Sequence, residues 1–329
     1  MNKPAIDGYP VEADNIANNI DSAWWKIIFR FRIEEFIAIL FFIPMAFLTT
    51  KAYLFFKAQG PVPKVFIGDV ERVFAVVVVV AIAIFIVKFR PNWTFFRDSL
   101  PFAYCLAIYT NLHDTIHFAN PHDIQSKLIA IDQWMFGVQP TVWAERLIHP
   151  ALTEYFSFCY VNFFVFAPLV AFTLYFIGRK TEFRETLVSV ILCFYTGYFL
   201  YVLFPAVPPR IALKDLYTLQ FNGTPIADAA LRIVNVLPSD SRAAFPSLHA
   251  AVTLLSLLFA WKYVRPLFWI MLPFCTGLVL STVYLRHHYV VDLLAGFALG
   301  IIMFILGPKI DAWWRAKTFR TEYSQRSKL

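Results

Sequence analysis

The chain has 329 residues, of which 59% are apolar and 16% charged, with a mean hydropathy of +0.60. A soluble globule carries roughly 45–50% apolar residues, so this composition excludes an ordinary water-soluble domain and makes a bilayer the expected solvent. The formal net charge of +7 does not point to nucleic acid, because the basic residues stand in short clusters at the ends of apolar runs rather than along one stripe.

The opening stretch MNKPAIDGYPVEADN lacks the apolar core of a cleaved signal peptide, so the mature chain is expected to begin near Met1. From Ala13 to Phe31, Trp24, Trp25, Ile27, Ile28 and Phe29 mix with Lys26 and Arg30, a pattern that suits a helix in the membrane interface or a juxtamembrane anchor. Residues 1–32 are read as a cytoplasmic or interfacial segment, 33–308 as the transmembrane domain that carries the chemistry, and 309–329 as a basic cytoplasmic tail.

Apolar runs of spanning length follow near 33–56, 73–89, 99–118, 154–177, 186–204, 247–262, 267–285 and 288–308. The expected fold is all-α, a polytopic transmembrane helix bundle of about eight spans. The run at 99–118 is the weakest, since it contains Asn111, His113, Asp114 and His117, and a charge at the bilayer centre costs roughly 2.5–3.5 kcal/mol. A partial or re-entrant helix is expected there. His113 and His117 stand one helical turn apart, a spacing that can bind metal, but no third ligand is evident, and hydrogen bonding between helices or lining of the site is preferred. Cys105, Cys159, Cys193 and Cys275 all fall inside apolar segments with no metal spacing and read as small buried hydrophobes.

Orientation follows from the loops. With a cytoplasmic N-terminus, 18 of the 29 Lys and Arg residues fall on inner segments, which by the positive-inside rule puts both termini in the cytoplasm. The long segments 119–153 and 205–246 then lie on the extracytoplasmic face.

Two motifs open helices on that face. Phe245-Pro246-Ser247-Leu248-His249 precedes the sixth run, and Arg286-His287-His288-Tyr289-Val290-Val291-Asp292 opens the eighth. The unpaired N–H groups and the dipole of a helix start favour an anion, so each is a candidate phosphate site. His288 and Asp292 are one turn apart, which lets the carboxylate orient the imidazole and leaves Nε2 to attack phosphorus. His249 is placed to act as general acid and base. Phosphate oxygens need positive partners, for which Arg210, Arg242 and Arg286 are candidates, with Ser247 as a further phosphate ligand and His287 as a structural neighbour. The two imidazoles are expected to face each other across a space the size of one phosphate.

The segments PSLH at 246–249 and STVYLRHHYVVD at 281–292 resemble the blocks PSGH and SRxxxxxHxxxD of the type 2 phosphatidic acid phosphatase (PAP2) superfamily, specifically over about 205–300. The resemblance implies a six-helix core preceded by N-terminal helices, His288 as nucleophile, Asp292 as its partner and His249 as general acid. Three departures stand out. The first block, K-x6-RP, is replaced by PPR at 208–210, Leu248 stands where the family has Gly, and Thr282 stands where it has Arg. The spellings FPSLHA and HHYxVD, with Asp132-Gln133-Trp134-Met135-Phe136-Gly137 and Pro140, resemble the inositol phosphorylceramide synthase-like branch.

The expected function is transfer of a phospho-headgroup from a phospholipid donor to a lipid alcohol through a phosphohistidine. The same site with water as acceptor would be a lipid phosphatase. A lipid transporter or flippase is the alternative of another class. Neither cofactor nor metal is expected, and no protein partner is inferred.

Overall fold

The computed structural model describes residues 31–60, 93–221 and 242–326, together with Ile28, Pro225, Asp228 and parts of 74–90; for Ala52, Thr94, 110, 111, 113–115, 117, 118 and 319–326 it describes the backbone alone. The interfacial helix expected near 13–31 lies largely outside the described residues, as does much of the run at 73–89. The side chains of His113, Asp114 and His117 lie outside them too.

The described chain is helical. Its main elements are α1 (Ile33–Gln59), α2 (Thr94–Ala119), α3 (Gln125–Phe136), α4 (Pro150–Val161), α5 (Phe163–Phe176), α6 (Lys180–Leu203), α7 (Leu248–Tyr263), α8 (Arg265–Tyr284) and α9 (Val290–Arg326). Short helical turns cover Pro140–Trp143, Ala144–Leu147, Pro209–Ala212 and Lys214–Leu216. No strand occurs among the described residues, and one parallel bridge joins Ala206 to Ala243. A multi-pass membrane protein follows: α1, α6, α8 and the Val290–Thr318 part of α9 are each long and apolar enough to cross a bilayer, and α4 with α5 are so together, bent at their junction.

Two elements differ from expectation. The run at 99–118, expected to be partial or re-entrant, belongs to a continuous helix of 26 residues, about 39 Å long at the α-helical rise. The run at 154–177 is not one straight helix; α4 and α5 meet at 49°. The cause of the bend is local. The Asn162 side chain donates to the Phe158 carbonyl at 2.7 Å, in competition with its own backbone N–H at 3.3 Å, and such a side-chain bond to the preceding turn disturbs the helical ladder.

The short helix α7 sits centrally, packed against α5, α6, α8 and α9. It touches α9 at Gly296 and Gly300, where an added Cβ would lie 2.3 Å from the Ser247 carbonyl oxygen and 2.6 Å from that of Ala251. This small-xxx-small stripe lets two backbones approach closely, which is the packing available where lipid removes the hydrophobic drive between helices. Large apolar residues such as Ile43, Phe47, Phe164, Trp269 and Ile270 stay exposed, as expected of lipid-facing positions, while the four cysteines are buried and free.

At the end of the bundle expected to face the cytoplasm, Arg184 of α6 binds Glu34 of α1 and Asp311 of α9, and both acids are fully buried. Paired burial removes the cost of either charge alone. Asp311 and Asp292 are both on α9, and their spacing corresponds to about 28 Å of helix, close to the roughly 30 Å of a bilayer's hydrocarbon core. The two ends of this stretch of α9 therefore carry separate polar clusters.

Candidate active site

Ser247 caps α7: its hydroxyl accepts the Ala250 N–H at 3.2 Å, and helix geometry begins at Leu248. Ser247 N–H in turn donates to the Asp292 carbonyl at 3.0 Å. This bond and the glycine stripe bring the starts of α7 and α9 together, although 39 residues separate their histidines. His249 Nδ1 lies 3.2 Å from His288 Nε2, and His288 Nδ1 lies 3.4 Å from Asp292 Oδ2. The three residues form one chain of contacts. The imidazoles touch directly rather than facing each other across a phosphate-sized space, so that expectation is corrected: the close α7–α9 packing carries the rings into hydrogen-bond distance.

Asp292 Oδ2 also accepts the Tyr289 N–H at 2.9 Å, whereas Oδ1 is buried without a partner. The loop that carries His288 is folded by the Thr282 carbonyl, which accepts the N–H groups of both His287 and His288. Arg286 adopts φ 63°, the left-handed turn that reverses the chain between α8 and α9. Burial pushes the His288 imidazole down to about 4, against a bond to the Ala244 backbone that raises it, and the positive charge of Arg210 lowers it further. At neutral pH this ring is uncharged and keeps a lone pair.

Aromatic rings hold the histidines. Tyr160 stacks on His249 at 5.0 Å and on His287 at 4.5 Å between centroids, and Phe163 lies 4.4 Å from His249. These two residues flank the Asn162 bend, which turns the end of α4 and the start of α5 toward the same imidazole. Phe163 carries no signal in the sequence beyond its apolar character.

The four residues proposed for phosphate from sequence divide sharply. Arg286 donates to Glu145 Oε1 and to the Leu219 carbonyl, each at 2.7 Å, and its guanidinium is sandwiched between Tyr217 and Phe221. This departs from the phosphate-ligand reading, because the group is spent on holding the loop 217–221. Arg242 pairs with Asp123 at 2.9 Å, so its charge is likewise engaged. Ser247 is fully buried and occupied as a helix cap.

Arg210 differs. Its backbone N–H is fixed to the Arg286 carbonyl at 2.8 Å, while its side-chain Nε is buried without a partner. No carboxylate pairs with it among the described residues. Burial lowers its pKa from the usual value, and its charge lies close enough to depress both His287 and His288, behind burial as the larger cause. Arg210 is thus the uncommitted cation beside the histidines.

The start of α9 was read as an anion site, and the structure corrects that. The carboxylate of Asp132, on α3 and fully buried, accepts the Val290 and Val291 N–H groups at 2.8 and 2.9 Å. These are the donors that a phosphate would need. The role of Asp132 has no local signature, since its partners lie 158 and 159 residues away.

A family model described as PAP2 superfamily matches residues 126–306. The inositol phosphorylceramide synthase catalytic subunit aur1 of Schizosaccharomyces pombe is 44% identical over 72 residues, which cover 20% of this chain and 16% of that protein. No solved structure matches the chain. With more than half of its length matched by the family model, including α7, α8 and the catalytic-looking start of α9, the chain belongs to the PAP2 superfamily.

Proposed function

We propose that this protein is a lipid phosphotransferase that moves a phospho-headgroup from a phospholipid to a lipid alcohol, with His288 as nucleophile. The observation that carries the reading is the contact chain His249–His288–Asp292, with Arg210 beside it as an unpaired cation. Membership in a family of lipid phosphoester enzymes supports the reaction class. Similarity to a protein named as an inositol phosphorylceramide synthase subunit supports an inositol phosphate headgroup and a ceramide acceptor as the first pair to test.

The reaction runs in two displacements. His288 Nε2 attacks phosphorus while the bond from phosphorus to the donor's glyceride oxygen breaks. That oxygen takes the electron pair and a proton from His249, which enters the step as the imidazolium and leaves it neutral. The acceptor hydroxyl then gives its proton to His249 and attacks phosphorus, and the phosphorus–nitrogen bond breaks to regenerate His288. Asp292 stabilises the charged ring in both steps. Arg210 and the opening turn of α7 hold the phosphoryl oxygens, where positive charge aimed at developing negative charge is commonly the largest catalytic contribution. An extracytoplasmic site at the bilayer surface would let acyl chains remain in lipid throughout.

The test is mass spectrometry of lipids after incubating the detergent-purified protein with labelled donor and ceramide. A new headgroup on the acceptor, lost in His288→Ala, is expected. Free phosphorylated headgroup with no labelled acceptor would make it a hydrolase, and full activity in His288→Ala would end the reading.

A further inference from the structure

The buried carboxylate of Asp132 is unusual in its placement. It is not near either imidazole by any bond, and the two displacements above do not use it. Yet both of its oxygens are spent on the first N–H groups of α9, the helix that carries Asp292 and whose preceding residue pair places His288. A fully buried carboxylate that accepts two backbone bonds is held by charge-assisted contacts about twice as strong as neutral ones. The same groups, left free, would present positive helix-dipole charge beside the site.

Trp134, two positions beyond Asp132 and so on the opposite face of α3, is 84% exposed, and Ile131, Met135 and Phe136 are exposed as well. Exposed Trp and Phe side chains on a short helix at the end of a membrane bundle suit the lipid interface. The helix is anchored to the bundle chiefly through its inward side, where Leu128 and Asp132 are its buried residues. A second tie runs from the next turn of the same segment, in which Glu145 holds Arg286, two residues before His288.

We infer that Asp132 is a positioning residue for the transfer reaction, through which the interfacial helix α3 fixes the start of α9 and so the alignment of His288 with Asp292 and His249. The inference rests on His288 being the nucleophile. It has two consequences. The Asp132 carboxylate keeps the α9 start closed to anions, which directs phosphate to Arg210 and α7. It also makes the catalytic loop dependent on a helix outside the bundle core.

Asp132→Asn keeps the shape but replaces one acceptor with a donor that opposes a backbone N–H. In protein purified in detergent, kcat for headgroup transfer should fall about 100-fold, the scale of a small misplacement of reacting groups, with KM within about twofold of wild type. Amide exchange should rise in peptides covering 286–293 and stay unchanged in α6 and α7. Asp132→Glu, which retains charge and both acceptors, should recover part of kcat; if the Asn variant does not survive extraction, Asp132→Glu is read by the same two measures, with kcat lowered and exchange raised only at 286–293. An unchanged kcat with unchanged exchange would overturn the inference, as would kcat and KM collapsing together with exchange rising across the bundle. Faster exchange confined to 286–293 in a protein whose wild type transfers no headgroup would uphold the positioning role and reject the proposed reaction instead.

Discussion

His249 Nδ1 sits 3.2 Å from His288 Nε2, so the proton donor and the nucleophile of the proposed reaction are in direct contact before any phosphate arrives. If His288 carries its proton on Nδ1, toward Asp292, its Nε2 lone pair receives the His249 N–H. His249 delivers a proton to the leaving oxygen as the imidazolium, a state that the negative charge of a bound phosphate favours. In the proposed reaction phosphate binding parts the rings, with Arg210 supplying the attraction.

His249→Ala should therefore lower transfer from a phospholipid by about 10²–10⁴-fold, the usual worth of a general acid. With p-nitrophenyl phosphate, whose leaving group needs no proton, the loss should shrink to below about tenfold. Initial rates on the two substrates check this. An equal loss on both would mean that His249 does not act as the acid.

Acid should destabilise the fold through His288. Its folded pKa of about 4 lies below the ordinary 6.5, so between these values the unfolded chain binds a proton that the native site refuses. Stability is then full above about pH 6.5 and falls as pH drops toward 4. The slope from this one group is about 1.4 kcal/mol per pH unit. Thermal melts in detergent at pH 7 and pH 5 should show a smaller acid loss for His288→Asn than for the wild type, and an identical loss would contradict the assignment.

The contact of His288 with Asp292 was legible in the sequence because it is local, with HxxxD putting the carboxylate one turn beyond the imidazole, and PSLH reports the helix start that carries His249. The arginines were not. Nothing around Arg286 signals that Glu145, 141 residues earlier, takes its charge, and nothing around Arg210 signals that no acid among the described residues takes its own. The helix bundle followed from hydropathy, but the bend at Asn162 arises from one side-chain hydrogen bond, which an apolar-run reading does not register. Asp132 stood in a segment noticed only for its resemblance, since its partners belong to the far end of the chain.

Substitution of the two arginines should separate their roles. Arg210→Ala should reduce kcat/KM by about 10²–10³-fold, as for loss of one preorganised donor to a transition-state oxygen, with the melting temperature little changed. Arg286→Ala should act on stability, since it leaves Glu145 as an uncompensated, largely buried charge, a change that costs about 3–5 kcal/mol. Adding Glu145→Gln to Arg286→Ala should restore part of that loss. Melting curves and kinetics on the three proteins check the division; a kinetic defect in Arg286→Ala without a melting shift would return that residue to the phosphate site.

The glycine stripe gives the last test, because it sets how far apart the two catalytic helix starts lie. A Cβ at Gly296 would fall 2.3 Å from the Ser247 carbonyl oxygen, and that atom is backbone, so the helices rather than a side chain must yield. Gly296→Ala should cost about 1–3 kcal/mol, the range for overpacking. More tellingly, it should push the cap of α7 away from the Asp292 carbonyl and pull His249 off His288, lowering kcat at temperatures where the variant is still fully folded. Gly307→Ala crowds Ser189 deeper in the bundle, with the new Cβ 2.2 Å from a side-chain oxygen. It should lower the melting temperature while sparing kcat of the folded protein. If both variants lose kcat in proportion to stability, the spacing of the two helix starts is not what sets the rate.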